Sequence, residues 1–401
     1  MDKKLLLKAV EIYGSPIYLY DLEKIKSQLI KFNESFRSAG KIKVHYATKA
    51  LSNISILKFI MNLDCGLDAV SIQEIKLGLK AGFKPESILY TPNGVCIEEI
   101  NEAVKLGVKI NLDSIESIID FSDSFPNNSL FIRVNPNIFD GGNNQTRVGH
   151  SESKFGIPVN QIEDLVKMEK GNKINIEGIH VHSGSDISNI ESFVKGAKTV
   201  FNLALKFRNI KYVDLGGGFK VPYFKDDSFT DIEELGKKIT IEFNNFKKEY
   251  NKDIVLIFEP GKYLVSEAGF FLTKVNYVKQ GSKNKFAQIN SGFNHFIRPA
   301  LYDSFHEIEN ISNPSGKKEK YSVVGYICEN DTFADNREIS KINKGDILCF
   351  KNAGAYGFSM SSNYNSRFTP AEVCFHNNKL KLIRKSQKID DLLNNQIIID
   401  L

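Results

Sequence analysis

From about residue 40 to residue 260 the chain alternates short β-branched or apolar runs with amphipathic segments, the pattern of repeated strand–helix units and a parallel sheet. Eight such runs stand out, at 42–47, 67–70, 88–91, 109–112, 130–134, 176–181, 212–215 and 254–258. Eight is the number that a closed (β/α)8 barrel requires. Between them, 54–63, 72–81, 97–106 and 190–207 predict helices. In the last, Ile190, Phe193, Ala197, Phe201 and Ala204 recur at helical spacing and form one core-facing stripe. After Glu267 the texture changes to short alternating strands with polar turns, for example 321–327, 346–350 and 379–383, which predict a mainly antiparallel β domain. The expected fold class is therefore α/β, a TIM-like barrel over residues 22–267 with a second β domain built from 1–21 and 268–401. The Asn- and Gly-rich stretch 135–144 predicts a long barrel loop.

Composition narrows the function classes. With 401 residues, 42% hydrophobic and 25% charged, the chain can bury a large core. Its formal charge of +5 arises from 53 basic against 48 acidic side chains without a dense Lys/Arg tract, so no nucleic-acid partner is expected. No apolar stretch approaches the roughly 18 to 20 residues of a membrane helix, and the run 5–7 is too short for a signal-peptide core; the expectation is a cytoplasmic protein with no membrane partner. The 5 cysteines are scattered and lack CxxC spacing, against both a disulfide framework and a structural zinc site.

Barrel enzymes place their chemistry at the C-terminal ends of the strands. Those ends read His45-Tyr46-Ala47-Thr48-Lys49, His180-Val181-His182-Ser183-Gly184-Ser185, Asp214-Leu215-Gly216-Gly217-Gly218 and Phe258-Glu259-Pro260-Gly261-Lys262. A triple glycine after the seventh strand lets backbone N–H groups approach an anion, and this is a frequent phosphate position in such barrels. Closure brings the eighth strand beside the first, so Lys49 and Glu259 border one pocket. A lysine to bind an aldehyde as an imine, an acid to protonate a pyridine nitrogen and an anion cradle are together what pyridoxal 5'-phosphate (PLP) needs. A plain Lys49–Glu259 ion pair is the alternative. His182 can stack on a planar ring or serve as hydrogen-bonded structure. His180 and His182 share a strand face, as metal ligands would, but no third ligand of suitable spacing appears, and no metal is expected.

At these residues the chain resembles the fold-type III PLP enzymes, which include alanine racemase and the ornithine, arginine and diaminopimelate decarboxylases. The segment 45–50 is similar to the lysine motif YAxKAN, with Leu51 where Asn is usual. The resemblance covers nearly the whole chain and implies Lys49 as the Schiff-base lysine, His182 as the ring-stacking histidine and Glu259 as the pyridine partner. It places Ser185 and Gly216, Gly217 and Gly218 at the phosphate, and Asp68, Glu74 and Arg133 around the pocket. In the C-terminal half, Cys328-Glu329-Asn330-Asp331 resembles the CESxD motif of the diaminopimelate type, whose cysteine donates a proton from the partner subunit. Segments 354–365 and 297–302 resemble its GAYGxxMxSxYN and RPxLY signatures. The implied roles are Tyr356 near the phosphate and substrate, and Arg298, Tyr302 and Glu329 on the substrate. A far-end amino-acid centre calls for a cation and an anion, which Arg298 and Glu329 can supply.

Pro260, Gly261 and Lys262 depart from the usual EPGR in the last residue. Lysine holds an anion as a point charge and lacks the guanidinium fork, whether toward phosphate or substrate carboxylate. The resemblance implies a carboxy-lyase that converts meso-2,6-diaminopimelate to L-lysine and CO2, the last step of lysine biosynthesis, in a homodimer with shared active sites. The rival readings are a decarboxylase of ornithine, arginine or carboxynorspermidine, a non-catalytic PLP-binding homologue, and a phosphate-handling barrel without PLP.

Overall fold

The first strand, β1 (Ile17–Asp21), joins a sheet that only C-terminal residues complete, and the barrel begins after it. The computed structural model describes residues 1–137 and 153–401; most of the loop expected at 135–144 lies outside the described residues. Contacts divide the chain into two units, one of Lys26–Pro222 with Asp226–Leu264, the other of Met1–Ile25, Tyr223–Lys225 and Val265–Leu401.

In the first unit the strands are β2 (Ile42–Ala47), β3 (Gly66–Ala69), β4 (Ile88–Tyr90), β5 (Lys109–Leu112), β6 (Ser129–Asn135), β7 (Ile157–Pro158), β8 (Asn175–His180), β9 (Tyr212–Asp214) and β10 (Val255–Phe258). All pair in parallel, β10 with β2 and β5 with β6, so eight strands close a barrel; the two-residue β7 is added beside β6. Leu89, Phe131 and Ile257 form a buried cluster from β4, β6 and β10. A Cβ on Gly178 would stand 2.2 Å from the Phe131 ring, so β8 carries glycine where β6 carries a large aromatic.

Local chemistry sets the helices that surround these strands. Ser71 caps the helix Ile72–Ala81 by accepting from the Glu74 N–H, Glu74 in turn accepts from the Val70 N–H at 2.8 Å, and Gly82 ends it at φ +107°. Helix Ile190–Ala204 starts at Asn189 and buries Phe193, Ala197, Phe201 and Ala204, the expected stripe, but ends three residues before the expected 207. Helix Ile232–Tyr250, capped by Asp231 and Asn251, was not singled out by the periodicity.

The second unit carries β1 with β11 (Gly269–Gln280), β12 (Lys285–Ile289), β13 (Ile308–Asn310), β14 (Lys318–Val324), β15 (Thr332–Ser340), β16 (Ile347–Phe350), β17 (Ala371–His376) and β18 (Lys379–Arg384). Pairing is antiparallel except for β1–β17 and β12–β14. The strand expected at 321–327 stops at Val324, because the Asp331 carboxylate gathers the N–H groups of Ile327 and Phe293 at 3.0 and 2.8 Å and turns the chain. Strand β15 escaped notice because Asp335, Asn336 and Arg337 interrupt its alternation; Asn336 sits at φ +47°, and the β14–β15 register shifts nearby.

Candidate active site

Lys49 sits in a 3-10 turn, Thr48–Ala50, that continues β2 past the barrel rim. Its Nζ lies 3.6 Å from Asp68 Oδ2 at the end of β3. The ion pair of this lysine is thus with Asp68, whereas Glu259 faces His180. Burial pushes the Asp68 carboxyl up to about 7, aided by Glu259 and opposed by Lys49. Burial also raises Glu74, against its Val70 hydrogen bond and Lys49. Arg133, buried at the end of β6, places its guanidinium 4.6 Å from the centre of the Phe155 ring.

A polar floor crosses the barrel interior below these groups. Asn111 Nδ2 donates to Thr91 Oγ1 at 3.2 Å and lies 2.8 Å from His180 Nδ1. That leaves the His180 proton on Nε2, 3.3 Å from Glu259 Oε2 along an oblique approach. Burial raises the Glu259 carboxyl, but His180 and Lys49 outweigh it and hold the group well below the usual carboxylate range. His180, Asp214 and Glu259 offer atoms within 4.8 Å of one another. The structure therefore supplies partners beside His180 that strand periodicity alone did not reveal, with His182 outside the group. Donors so spaced suit a metal; they also suit a proton shared between carboxyls. Two ionised carboxylates about 4 Å apart would repel by about 4 kcal/mol at an effective dielectric constant of about 20. Burial, then Glu259, accordingly raises Asp214 well above the usual range.

His182 accepts the Gly217 N–H at Nδ1, 3.2 Å, which fixes its remaining proton on Nε2. Burial, Lys49 and Arg133 keep it neutral, so a half-buried uncharged ring lines the site. The triple glycine is required by close approach: a Cβ on Gly217 would stand 2.2 Å from Glu259 O, and one on Gly218 2.1 Å from Gly184 O. The amides are less available than the sequence suggested. Gly216 N–H donates to Asp214 Oδ1 at 2.8 Å and Gly217 N–H to His182, leaving only the Gly218 amide of the three without an acceptor among the described residues. Gly216 and Gly217 shape the cradle more than they donate into it. Ser185 lies in the adjoining loop, half-buried.

Glu259-Pro260-Gly261 turns tightly against the Lys49 turn, with Gly261 positioned so that a Cβ would meet Ala47 and Ala50 at 3.0 and 3.2 Å. Lys262 is buried, and its Nζ contacts both carboxylate oxygens of Asp186, at 2.7 and 2.8 Å. The cation expected to meet phosphate or substrate is held by an anion that the sequence reading did not select. Asp186 stands at φ +61°, one residue beyond Ser185.

The second unit assembles its own group. Arg298 opens the short helix Arg298–Tyr302 and is 5% exposed. Its guanidinium donates to Tyr223 Oη (3.3 Å), Ser304 Oγ (3.4 Å) and His306 Nε2 (3.4 Å), and lies about 6 Å from the rings of Tyr223, Tyr302 and Tyr356. His306 Nδ1 faces Lys351 O at 2.9 Å, so one tautomer satisfies both ring nitrogens. Tyr356 reaches this group from a left-handed backbone at φ +57°. Cys328 and Glu329 are exposed on a separate cluster, where the thiol lies 3.2 Å from Asn365 Oδ1 and Tyr364 Oη donates to the Glu329 carboxylate. Tyr223, Ser304 and His306 carried no recognisable motif.

The barrel and its rim define the class: a barrel enzyme whose site fits PLP. The fit rests on a buried carboxylate oxygen, Glu259 Oε1, without a donor among the described residues, beside a reachable lysine, a neutral imidazole and a loop closed to any side chain. Residues 22–266 match the family described as pyridoxal-dependent decarboxylase, pyridoxal binding domain. The diaminopimelate decarboxylase of Methanothermobacter thermautotrophicus is 36% identical, over 97% of this chain and 94% of its own. That of Campylobacter jejuni is 33% identical, over 94% and 95%. The crystal structure of the Helicobacter pylori enzyme complexed with L-lysine superposes with a TM-score of 0.87 at 31% identity, covering 98% of both chains. The chain belongs to the diaminopimelate decarboxylase family of the fold-type III PLP-dependent decarboxylases. It is a carboxy-lyase, and PLP is its cofactor.

Proposed function

We propose that the chain decarboxylates meso-2,6-diaminopimelate to L-lysine and CO2, as the closing step of lysine formation in the cytoplasm. The carrying observation is Arg298. It is a buried guanidinium whose hydrogen-bond partners, Tyr223, Ser304 and His306, bear no negative charge, and no carboxylate pairs with it among the described residues. A buried cation so surrounded favours an incoming anion, and the distal carboxylate of diaminopimelate is one.

Bound PLP supplies the electron sink for the pair released when the α-carboxylate departs. Lys49 would hold the cofactor through its aldehyde group, its amine exchanging with that of substrate and product. Glu259 keeps a proton at the ring nitrogen, and His182 offers its neutral face to the ring. Gly218, with Ser185, takes the phosphate; Arg298, Tyr302 and Tyr356 hold the distal carboxylate, and Glu329 its ammonium. Cys328 delivers the proton to the α-carbon. Its exposure, with Tyr364, which donates to the adjoining Glu329, also exposed, suits an acid that serves the site of a second subunit in a homodimer.

The test is a visible spectrum of the PLP-reconstituted protein, then addition of meso-diaminopimelate with assay of CO2 and lysine, beside Lys49→Ala. An imine band absent from the variant, with lysine and CO2 in equal amounts, supports the reading. Equal or better turnover of ornithine, arginine or carboxynorspermidine, which lack a distal carboxylate, overturns the substrate assignment.

A further inference from the structure

The carboxylate assigned to the ring nitrogen shares its surroundings with a second carboxyl that the mechanism above does not use. Asp214 ends β9, the strand that pairs with β10 just before Glu259. Its side chain is fully buried. Oδ1 accepts the Gly216 N–H at 2.8 Å, while Oδ2 and Glu259 Oε1 both lack a donor among the described residues. The charged and titratable groups around the pair are Asp68 on β3, His180 on β8 and His182 just beyond it, Arg133 on β6, His45 on β2 and Lys49 after β2.

Proton bookkeeping decides what this arrangement can be. Asn111 occupies Nδ1 of His180, so His180 turns an N–H toward Glu259 and offers nothing to Asp214. Two buried carboxyls within 4.8 Å of each other do not both ionise; one retains a proton. Glu259 has His180 and Lys49 to stabilise its charge, whereas Asp214 has one backbone amide. A carboxylate has about four acceptor sites, enough for His180, a neighbouring O–H and a ring N–H together.

We propose that Asp214 is a positioning residue that stays protonated, donating from Oδ2 to Glu259 while Oδ1 holds the Gly216 amide. One neutral carboxyl thereby ties the group that faces the cofactor's ring nitrogen to the loop at its phosphate end. A second link runs in parallel, since Glu259 N–H donates to Gly216 O at 2.8 Å. The proposal rests on the assignment of Glu259 to the ring nitrogen.

The test compares Asp214→Asn with Asp214→Ala in holoenzyme reconstituted with 15N-labelled PLP. Asparagine reproduces a neutral carboxyl, its NH2 donating to Glu259 and its carbonyl accepting from Gly216. The 15N signal of the ring nitrogen, the rate of PLP loss, and kcat and KM are measured. Expected for Asp214→Asn is a wild-type ring-nitrogen signal with kcat within about threefold. Expected for Asp214→Ala is a signal moved toward the unprotonated value, faster PLP loss and kcat lower by about tenfold or more at little changed KM, the loss of one charge-assisted hydrogen bond. If Asp214→Asn is as impaired as Asp214→Ala while both retain wild-type circular dichroism, Asp214 acts as an anion and the proposal fails. It also fails if Asp214→Ala matches wild type. Should Asp214→Ala not fold, the infrared spectrum of the holoenzyme decides: a protonated-carboxyl C=O band that disappears in Asp214→Asn supports the proposal, and its absence from wild type overturns it. Glu259→Gln tests the assignment beneath. An unchanged ring-nitrogen signal there removes Glu259 from the ring nitrogen, whatever Asp214 does.

Discussion

Lys49 Nζ and Asp68 Oδ2 stand 3.6 Å apart at the ends of neighbouring strands, with the lysine side chain 40% exposed and the aspartate almost wholly buried. Burial holds the aspartate up to about 7, so it ionises near neutral pH. Once ionised, it favours the ammonium form of Lys49, which cannot attack an aldehyde. Asp68→Asn should therefore speed imine formation by the apoenzyme above about pH 7, with little change below it. Stopped-flow absorbance after mixing with PLP, from about pH 6 to 9, measures this. A pH profile identical to wild type would remove Asp68 from control of the amine.

The Lys262–Asp186 pair predicts opposite outcomes for its two members. Lys262→Ala leaves a partly exposed aspartate without its cation and should cost about 1 to 3 kcal/mol of stability. Asp186→Asn frees the Lys262 ammonium beside the residue that follows Ser185 and should tighten PLP binding, read from the fluorescence titration of apoenzyme. Lys262→Arg keeps the charge and can meet both oxygens of Asp186, so its urea midpoint should stay near wild type.

Gly217→Ala should cripple cofactor retention without altering any donor. The added methyl would meet the Glu259 carbonyl oxygen at 2.2 Å, and that oxygen is backbone, which cannot swing aside as a flexible side chain can. Strands β9 and β10 must then part beside Glu259. The expected result is at least about tenfold faster PLP loss, since a shift of about 1 Å at such a site has effects of that order or larger.

Arg298→Lys should raise KM for diaminopimelate by about tenfold or more while leaving the imine band intact, because an ammonium cannot span Tyr223, Ser304 and an incoming carboxylate at once. The same variant should narrow the preference over substrates without a distal carboxylate. Steady-state CO2 release on both kinds of substrate checks it.

Much of this was legible in the chain itself. The barrel followed from eight apolar runs, and the rim residues from where those runs end. What periodicity could not supply was partnership across the barrel. Nothing within a strand says that Asn111 sets the tautomer of His180, or that Asp186 claims Lys262, because these contacts join residues about 70 positions apart. Tyr223 was invisible for the same reason: it lies in a three-residue segment flanked in sequence by barrel residues, yet it belongs to the second unit and hydrogen-bonds to Arg298 there. The glycines of 216–218 do follow a barrel strand, but the sequence does not show that Asp214 and His182 take two of their amides.

Acid should weaken the fold through two buried histidines, His45 and His295. Burial lowers His45 to about 4 against the pull of Glu259, and lowers His295 to about 4 against its hydrogen bond to Phe368 O. The unfolded chain takes up these protons from 6.5 downward and the folded chain does not. Stability is therefore full above 6.5 and falls until about 4, by up to about 3 kcal/mol for each histidine. Urea midpoints across that interval measure the slope, and His295→Gln should flatten it. An unchanged slope in His295→Gln would exclude that histidine as a source.

Strand β1 pairs on one side with β11 and on the other with β17, so residues 17–21 sit between partners some 250 and 350 positions later in the chain. During synthesis this segment emerges first and is satisfied last. Until Ala371–His376 leaves the ribosome, one edge of a strand that is apolar and aromatic from Ile17 to Tyr20 stays bare to any passing β edge. The barrel strands can register with one another long before that. Premature termination just upstream of β17 would thus yield a chain prone to sticking to its copies through β1.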